Sequence, residues 1–546
     1  MLHGNGARIL FITFTKILKQ MPVDCVSYKE SGYFSQLIVD YLEQHPDIRP
    51  FYHRFPSIKN FEDQIREKSE NFTTDRNLLA DAIQKQYKDI PLSEKTRKNI
   101  DLLRSSSTFT VTTGHQLNLF TGPLYFLYKI VTAINLAKSL KETYPSNDFV
   151  PVYWMATEDH DFEEINHFIF HGKKFRWNRE ASGPVGRLDT KTLDEFFRLF
   201  QQELGPSDAA ARLRKLFEDA YLKHDKLADA TRFLANELFG KYGLVIIDGD
   251  DRSLKQQFAP IAKEELLHQV SYQKVSETAS KLSAYNVQVN PREINLFYIE
   301  DGLRERIIRQ GEEFVVNNTS IRLSEAEILD ELEKHPEKFS PNVIMRPLYQ
   351  EVILPNLCYI GGGGEIAYWL ELKSYFDLSS VTFPILMLRN SVLLTTQKQA
   401  EKVDRLRLNW SDLFLKQTDL ITKKTKQISE LPLDFSSHRD RLHQLFAELK
   451  EIAGKTDKSF GTAVAAQETR QLKGFANLEK KLLRAEKRAH DDLLRRVCEL
   501  QDELFPGGLQ ERKLNFSEFF ILEPSLTDVL VDKLNPWATS FTIITI

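Results

Sequence analysis

Thr108-Phe-Thr-Val-Thr-Thr113, then Gly114-His115-Gln116, then Phe120-Thr-Gly-Pro-Leu-Tyr125 is the stretch that decides the fold. Its first six residues are mostly β-branched and alternate in character, so they read as a strand. Thr121 suits a helix N-cap and Pro123 a first-turn position, which predicts a helix from Pro123 to about Leu140. Leu124, Leu127, Tyr128, Val131, Ile134 and Leu136 surround that helix with apolar side chains, the mark of a buried helix. A second strand is predicted over Asp148 to Met155, and it runs into Glu158-Asp159-His160-Asp161. Strand, polar turn, helix, strand, polar turn is half of an open α/β sheet. Ligands of such sheets sit outside the carboxyl ends of the strands, where both polar turns fall.

Further strands follow. Leu244-Val-Ile-Ile247 reads as a buried parallel strand that leaves through Asp248-Gly-Asp-Asp251, taken as a solvated turn. Phe297-Tyr-Ile299 and Phe314-Val-Val316 flank Gly311 and predict a hairpin. Leu357-Cys-Tyr-Ile360 leads into Gly361-Gly-Gly-Gly364-Glu365, and a helix is expected from Ile366 to Phe376. Phe383-Pro-Ile-Leu-Met-Leu388 is a strand ending in Arg389-Asn390-Ser391.

Upstream, Phe34, Leu37, Ile38, Tyr41 and Leu42 repeat at helical spacing, so Tyr28 to Asp101 reads as a mostly helical lead-in. Downstream, Leu393 to Phe505 is rich in charge and poor in glycine. Phe475, Leu478, Leu482, Ala485 and Ala489 alternate steps of three and four, which is coiled-coil spacing. Breaks at Leu431-Pro432 and Ala453-Gly454 predict long antiparallel helices. The tail after Pro506 carries Phe516, Phe519 and Phe520 and is expected back on the sheet domain. Residues 1–21 form an extension left out of the fold, with Met21 a candidate start.

A chain of 546 residues exceeds one ordinary core. A net charge of -4 gives no global basic field for nucleic acid. Ile9-Leu-Phe-Ile-Thr-Phe14 is too short to span a bilayer, so no membrane role is expected. Cys25, Cys358 and Cys498 have no metal or disulfide spacing, which fits a reducing cytoplasm.

Several clusters are candidates for chemistry. Gly114, His115 and Gln116 lie where a backbone can approach an anion, and His115 could donate to it. The alternative is a tight turn with a satisfied histidine. Three carboxylates beside one imidazole repel one another, a cost that a ligand or a proton-transfer role explains. Glu158 is therefore assigned to substrate binding and Asp159, His160 and Asp161 to catalysis, against a solvated loop that caps the next helix. His160, Glu164, His167 and His171 would share one face of a helix and could ligate a metal. Phe168-Ile-Phe170 reads as strand, however, and no metal site is assigned. Gly361, Gly362 and Gly363 suit an anion-binding nest, with Arg346, Tyr349 and Asn356 ahead of it able to hold a carboxylate. Arg389, Asn390 and Ser391 are either nucleotide contacts or a cap for the first long helix. Cys358 reads as a buried hydrophobe.

Thr113-Gly-His-Gln116, Phe120 to Tyr125, Pro151-Val-Tyr-Trp-Met-Ala-Thr-Glu-Asp-His-Asp-Phe-Glu-Glu-Ile-Asn-His167, Pro341 to Glu351, Tyr359 to Trp369 and Pro384 to Ser391 together resemble the bacillithiol biosynthesis cysteine-adding enzymes, the BshC family. The resemblance runs from about Cys25 to the C-terminus. The family usually has Gly-Gln-Gln at Gly114-His115-Gln116. The resemblance implies a Rossmann-like parallel-sheet core over residues 22–392, with insertions at about 172–240 and 270–340. It implies a dimerising antiparallel coiled coil over 393–505 and a tail over 506–546. It also implies a ligase that joins cysteine, through its carboxyl group, to the amine of glucosaminyl malate. A carboxylate and an amine do not condense unaided, so the acid must be activated, as an acyl-adenylate or acyl-phosphate, and the amine held neutral and close. That need points to ATP or ADP, with or without Mg²⁺, while the resemblance leaves the cosubstrate open. Two other readings of the residues stand: an adenylating or nucleotidyl-transferring enzyme acting on another acid, and a non-enzymatic coiled-coil scaffold.

Overall fold

The computed structural model describes residues 23–286 and 289–546, so the extension and Met21 lie outside the described residues. Thr108–His115 is the middle strand of a five-stranded parallel sheet. Asp148–Met155 and then Val245–Asp248 lie to one side, and Asn356–Gly361 and then Ile385–Leu388 to the other. Covering on both faces favours near-continuous apolar runs such as Val245–Asp248 and Ile385–Leu388, while Thr110, Thr112 and Thr113 of the central strand are buried and bond Asn356 or a neighbouring carbonyl. Taken by chain position, the order across the sheet is fifth, fourth, first, second, third. The order reverses between Thr108–His115 and Asn356–Gly361, so a crevice opens at their carboxyl ends.

The link after the central strand corrects the sequence reading. Gly114 and His115 are still in the strand, paired with Trp154 and Met155. The helix begins at Tyr125 and runs to Thr143, and no side chain caps it. Thr121 is no N-cap. Phe120, Thr121 and Gly122 take positive φ in succession, at 49°, 70° and 62°. A β-branched residue seldom adopts that region, and tertiary bonds impose it here. Asn515 Nδ2 donates to the carbonyls of Phe120 and Gly122, at 2.8 and 2.7 Å. The amide of Phe120 donates to Tyr221 Oη at 2.8 Å. A Cβ on Gly122 would stand 2.5 Å from Asn118 Cβ, so only glycine fits.

The two insertions differ in kind. Leu193–Glu203, Asp208–Tyr221 and Leu227–Phe239 are helices around an aromatic cluster of Phe168, Phe196, Phe200 and Phe217, joined by Phe120 and by Phe516 of the tail. The second insertion holds a five-stranded antiparallel sheet in the order Arg322–Ser324, Glu313–Val316, Leu303–Gln310, Leu296–Glu300, Phe339–Pro341. The predicted hairpin is thus part of a larger sheet. Phe314-Val-Val316 pairs with Leu303–Gln310 across Gly311, and Phe297-Tyr-Ile299 pairs with the other edge of that same strand.

Ser391–Thr395 leaves the core and joins a small sheet with Val23–Ser27 and Ser540–Thr545, the C-terminal strand lying in the middle. Beyond it come Gln397–Arg405, Gln417–Ile428, Ser436–Ala453, the 32-residue helix Lys458–Ala489, and Asp491–Leu504. Ser436–Ala453 and Lys458–Ala489 form the antiparallel hairpin, with a thin core of Phe446, Ala453 and Val464. At 1.5 Å per residue the long helix extends about 48 Å. Among the described residues, no helix is long and apolar enough to cross a membrane.

Asn515 is fully buried, and its Oδ1 also accepts from the amide of Ser517 at 3.0 Å. Asn515→Ala strands two carbonyls and one amide inside the protein. The expected loss is about 3 kcal/mol of unfolding free energy, read as a lower urea midpoint at unchanged m-value.

Candidate active site

A cavity of roughly 980 Å³ occupies the crevice where the strand order reverses. Gly114, His115 and Gln116 enter it from the end of the central strand. Trp154 to His160 enter from the next strand, Gly362 to Glu365 from the fourth, and Arg389 from the fifth. The antiparallel insertion closes the far side with Phe297, Arg304 and Arg306.

At the reversal point Lys129, on the buried helix, reaches back to donate to the carbonyl of Gly114 at 2.6 Å. The same ammonium pairs with Glu365 Oε2 at 2.6 Å. Glu365 also accepts from Tyr359 Oη at 2.7 Å and from the amide of Gly362 at 2.9 Å. Burial works against the Glu365 charge, but Lys129 and these bonds outweigh it and hold the carboxyl below its usual range. Burial lowers the Lys129 pKa, with Glu365 opposing the shift. The Gly362 amide is therefore not free for an anion, while Gly363 and Gly364 open the following helix on the cavity wall. Gly361 ends the strand and its carbonyl accepts from the amide of Arg389 at 2.9 Å. A Cβ on Gly363 would stand 3.3 Å from Phe34, so this glycine also serves the packing of the lead-in.

Gln116 organises the acidic turn. Its Nε2 lies 2.8 Å from Asp159 Oδ2 and 2.8 Å from Glu164 Oε2, so one amide group holds both carboxylates. Asp159 Oδ1 accepts from the amide of His160 at 2.7 Å. Asp161 is not in the cavity lining and caps the short helix Phe162–Ile165, accepting from the amide of Glu164 at 3.3 Å. The cap read as the alternative for this turn thus applies to Asp161, whereas Asp159 and His160 line the cavity. Glu158 is nearly buried and ion-paired with Lys255. His167 starts the strand His167–Phe170, so His160, Glu164, His167 and His171 share no helix face.

His115 is 8% exposed, packed between Tyr125 and Phe126, and its Nε2 has no hydrogen-bond partner among the described residues. Burial, with Lys129 and Arg389 nearby, pushes its pKa well below the usual imidazole range, so the ring is neutral. Arg346 is half-buried against Gly114, with Nη1 3.1 Å from Gln350 Oε1 and Nη2 3.2 Å from Tyr368 Oη. No carboxylate stands within ion-pairing distance of it among the described residues.

Other assigned residues are placed differently. Tyr349 is fully buried, gives its hydroxyl proton to the carbonyl of Gly249 at 2.7 Å and does not reach the cavity. Asn356 is fully buried under Thr110, Thr112 and Glu351 and holds no ligand carboxylate. Arg389 lines the cavity but makes a two-pronged pair with Glu511 of the tail, at 2.6 and 3.0 Å. Asn390 bonds Thr132 and the carbonyl of Asn535, and Ser391 bonds Arg389 and Glu511. Both sit in the seam between core and tail, outside the cavity wall.

Asp248 to Asp251 is not a solvated turn. Asp250 takes a two-pronged bond from Arg187 at 2.7 and 2.9 Å and lies 3.7 Å from Lys255. Asp248 accepts from Thr157 and faces Arg232 at 3.7 Å. Burial and the neighbouring Asp250 push Asp248 up to about 6. Burial also works against the charge of Asp250, but Arg187 and Lys255 outweigh it and hold that carboxyl low. Through Lys255 this network fixes Glu158 from behind the cavity wall.

The sequence reading missed Lys129, Glu365, Arg304, Arg306 and Arg512, all of which line the cavity. Lys129 had a signal: it is a lone cation in an otherwise apolar helix segment, and such a residue needs a partner. Arg304 and Arg306 had none, lying in a segment with no apolar pattern.

Residues 21–390 match the family model described as the bacillithiol biosynthesis BshC N-terminal Rossmann-like domain. Residues 392–546 match the BshC C-terminal coiled-coil domain. A Flavobacterium johnsoniae protein named "Putative cysteine ligase BshC" is 61% identical over 529 residues, covering 96% of this chain and 100% of that protein. A Flavobacterium psychrophilum protein of the same name is 59% identical, covering 96% and 99%. One from Cytophaga hutchinsonii is 39% identical, covering 95% and 98%. With both domains matched in order and relatives similar from end to end, the chain belongs to the bacillithiol biosynthesis BshC family.

Proposed function

We propose that the protein is a ligase that joins the carboxyl group of cysteine to the amine of glucosaminyl malate, giving bacillithiol. The observation that carries this is the charge balance of the cavity. Lys129, Arg389 and Glu158 are neutralised by Glu365, Glu511 and Lys255. What remains on the wall is Arg292, Arg304, Arg306, Arg346 and Arg512 against Asp159. Such a cavity suits ligands with several negative charges and one amine. The sugar–malate conjugate has that character, with two carboxylates on its malyl arm.

ATP would supply the leaving group that makes the cysteine carboxyl reactive. Arg346 fits it, as a guanidinium beside Gly114 with no carboxylate at ion-pairing distance among the described residues, and Arg512 lines the same cavity. Asp159 suits the proton of the attacking amine, since Gln116 and the His160 amide fix both of its oxygens while its edge faces the cavity. The coiled coil supports a homodimer: Leu445, Ile452, Phe460 and Leu478 of its hairpin are roughly half exposed. The unpaired cysteines suit a cytoplasmic setting.

The purified protein, given cysteine, glucosaminyl malate and ATP with Mg²⁺, is expected to form bacillithiol by mass spectrometry. No thiol product with either ATP or ADP would overturn the reading. Asp159→Asn should lower kcat by about 100-fold or more, the usual scale for losing a general base, while both substrates still bind. Arg346→Met should raise KM for ATP about tenfold or more, with less effect on KM for cysteine, as the loss of a charge-assisted pair predicts. Leu445→Asp with Leu478→Asp should shift the protein to monomer in sedimentation velocity and leave its circular dichroism unchanged.

A further inference from the structure

The second insertion supplies a residue that decides what His160 can do. Arg304, on the strand Leu303–Gln310, places Nη1 2.6 Å from His160 Nδ1. A guanidinium has donors and no acceptor, so Nδ1 must be the acceptor of this bond. In a neutral imidazole the single proton is then on Nε2. The competing partner for an Nδ1 proton is Asp159, whose Oδ1 is 3.7 Å away, too far for a hydrogen bond. Arg304 is itself held in place. Its guanidinium carbon lies 3.9 Å from the centre of the Phe297 ring, and its Nε is enclosed without a partner. Phe297 also packs on the His160 ring, with centroids 5.7 Å apart. Asp159, Asp161 and Glu305 face the ring and favour its protonation, but burial and Arg304 outweigh them and lower its pKa. His160 Nε2 is left without a protein partner among the described residues, and the residue lines the cavity.

We infer that Arg304 locks His160 as the neutral Nε2–H tautomer, so that His160 hydrogen-bonds a carboxylate of the ligand and takes no proton in the reaction. On the proposed reaction, which this inference uses only to identify the ligand, the carboxylate belongs to the malyl arm. Arg306 and Arg292 stand on the same wall to complete its binding. Arg304 is then a positioning residue acting through His160, and the amine proton falls to Asp159.

Two readouts test this. The first is the two-bond ¹H–¹⁵N spectrum of full-length protein labelled with ¹⁵N-histidine, with His160→Gln used to assign the signals. Wild type and Arg304→Lys should show a pyridine-type Nδ1 and a pyrrole-type Nε2, with a titration midpoint below that of free imidazole. Arg304→Met should average the two nitrogens and raise the midpoint. A pyrrole-type Nδ1 in the wild type, or an unchanged spectrum in Arg304→Met, overturns the inference. Neither needs a substrate, so this arm stands apart from the ligase reading. The second readout is kinetic. His160→Ala and His160→Gln should raise KM for glucosaminyl malate with KM for ATP unmoved, and kcat should fall by less than about tenfold. A loss of kcat of about 100-fold in both would show proton transfer by His160 and overturn the inference.

Discussion

One buried ammonium, Lys129, holds the two halves of the sheet together where they diverge. Its helix follows the central strand, and its partner Glu365 opens the helix that follows the fourth. Strand pairing joins Thr108–His115 to Asn356–Gly361, but hydrogen bonds between strands stop where the crevice begins. Beyond that point the Lys129 bridge, with Tyr359 and the Gly362 amide on the same carboxylate, sets the spacing of the walls. Lys129 is buried while Glu365 lies on the cavity wall, so removing Glu365 would leave an uncompensated buried ammonium, a cost of about 3–5 kcal/mol. The bridge also occupies the Gly362 amide, one of those the glycine run would otherwise offer a ligand. The cations on the cavity wall outside this bridge, Arg292, Arg304, Arg306, Arg346 and Arg512, come from other segments.

Much of the fold was legible because burial on both faces writes itself into sequence. Thr108 to Thr113, Asp148 to Met155, Leu244 to Ile247 and Phe383 to Leu388 are long enough, and apolar or β-branched enough, to be strands of a covered sheet. Each ends in polar residues that mark the carboxyl edge. The hairpin breaks at Leu431-Pro432 and Ala453-Gly454 were legible for a similar reason, since both interrupt a sustained helical period. Leu303-Arg-Glu-Arg-Ile-Ile-Arg-Gln310 was not legible. It is a strand with charged residues on both faces, and only its neighbours in the sheet make it one.

The candidate site was legible as to place and much less so as to roles. Local pattern shows where polar residues collect, but many of their partners come from other segments of the chain. Asp248 to Asp251 has the composition of a surface turn, and Arg187, Arg232 and Lys255 convert it into a buried network. Arg389 to Ser391 has the composition of a ligand contact, and Glu511 and Asn535 draw it into a seam. Thr121 has the composition of a cap, and Asn515 bends it into a left-handed turn. For Arg389 to Ser391 and for Thr121 the deciding group lies outside any window in which periodicity or spacing can be read, and for Asp250 so does Arg187.

The clamp at the root of the coiled coil has a consequence for how this chain can vary. Gln510 accepts from the amide of Leu394 at 2.9 Å and donates to its carbonyl at 2.9 Å, while Glu511 accepts from the amide of Val392 and grips Arg389. Entry and exit of the helical arm are thus pinned side by side, and residues 396–509 form an excursion whose two feet do not move relative to each other. Closing a longer or shorter excursion changes the chain entropy only logarithmically. Insertions and deletions of whole helical turns in the outer hairpin, Ser436–Ala453 with Lys458–Ala489, which has its own small core, are therefore nearly neutral for the cavity. The outer hairpin is the part of the molecule freest to change its length, while the cavity at the base of the arm stays fixed.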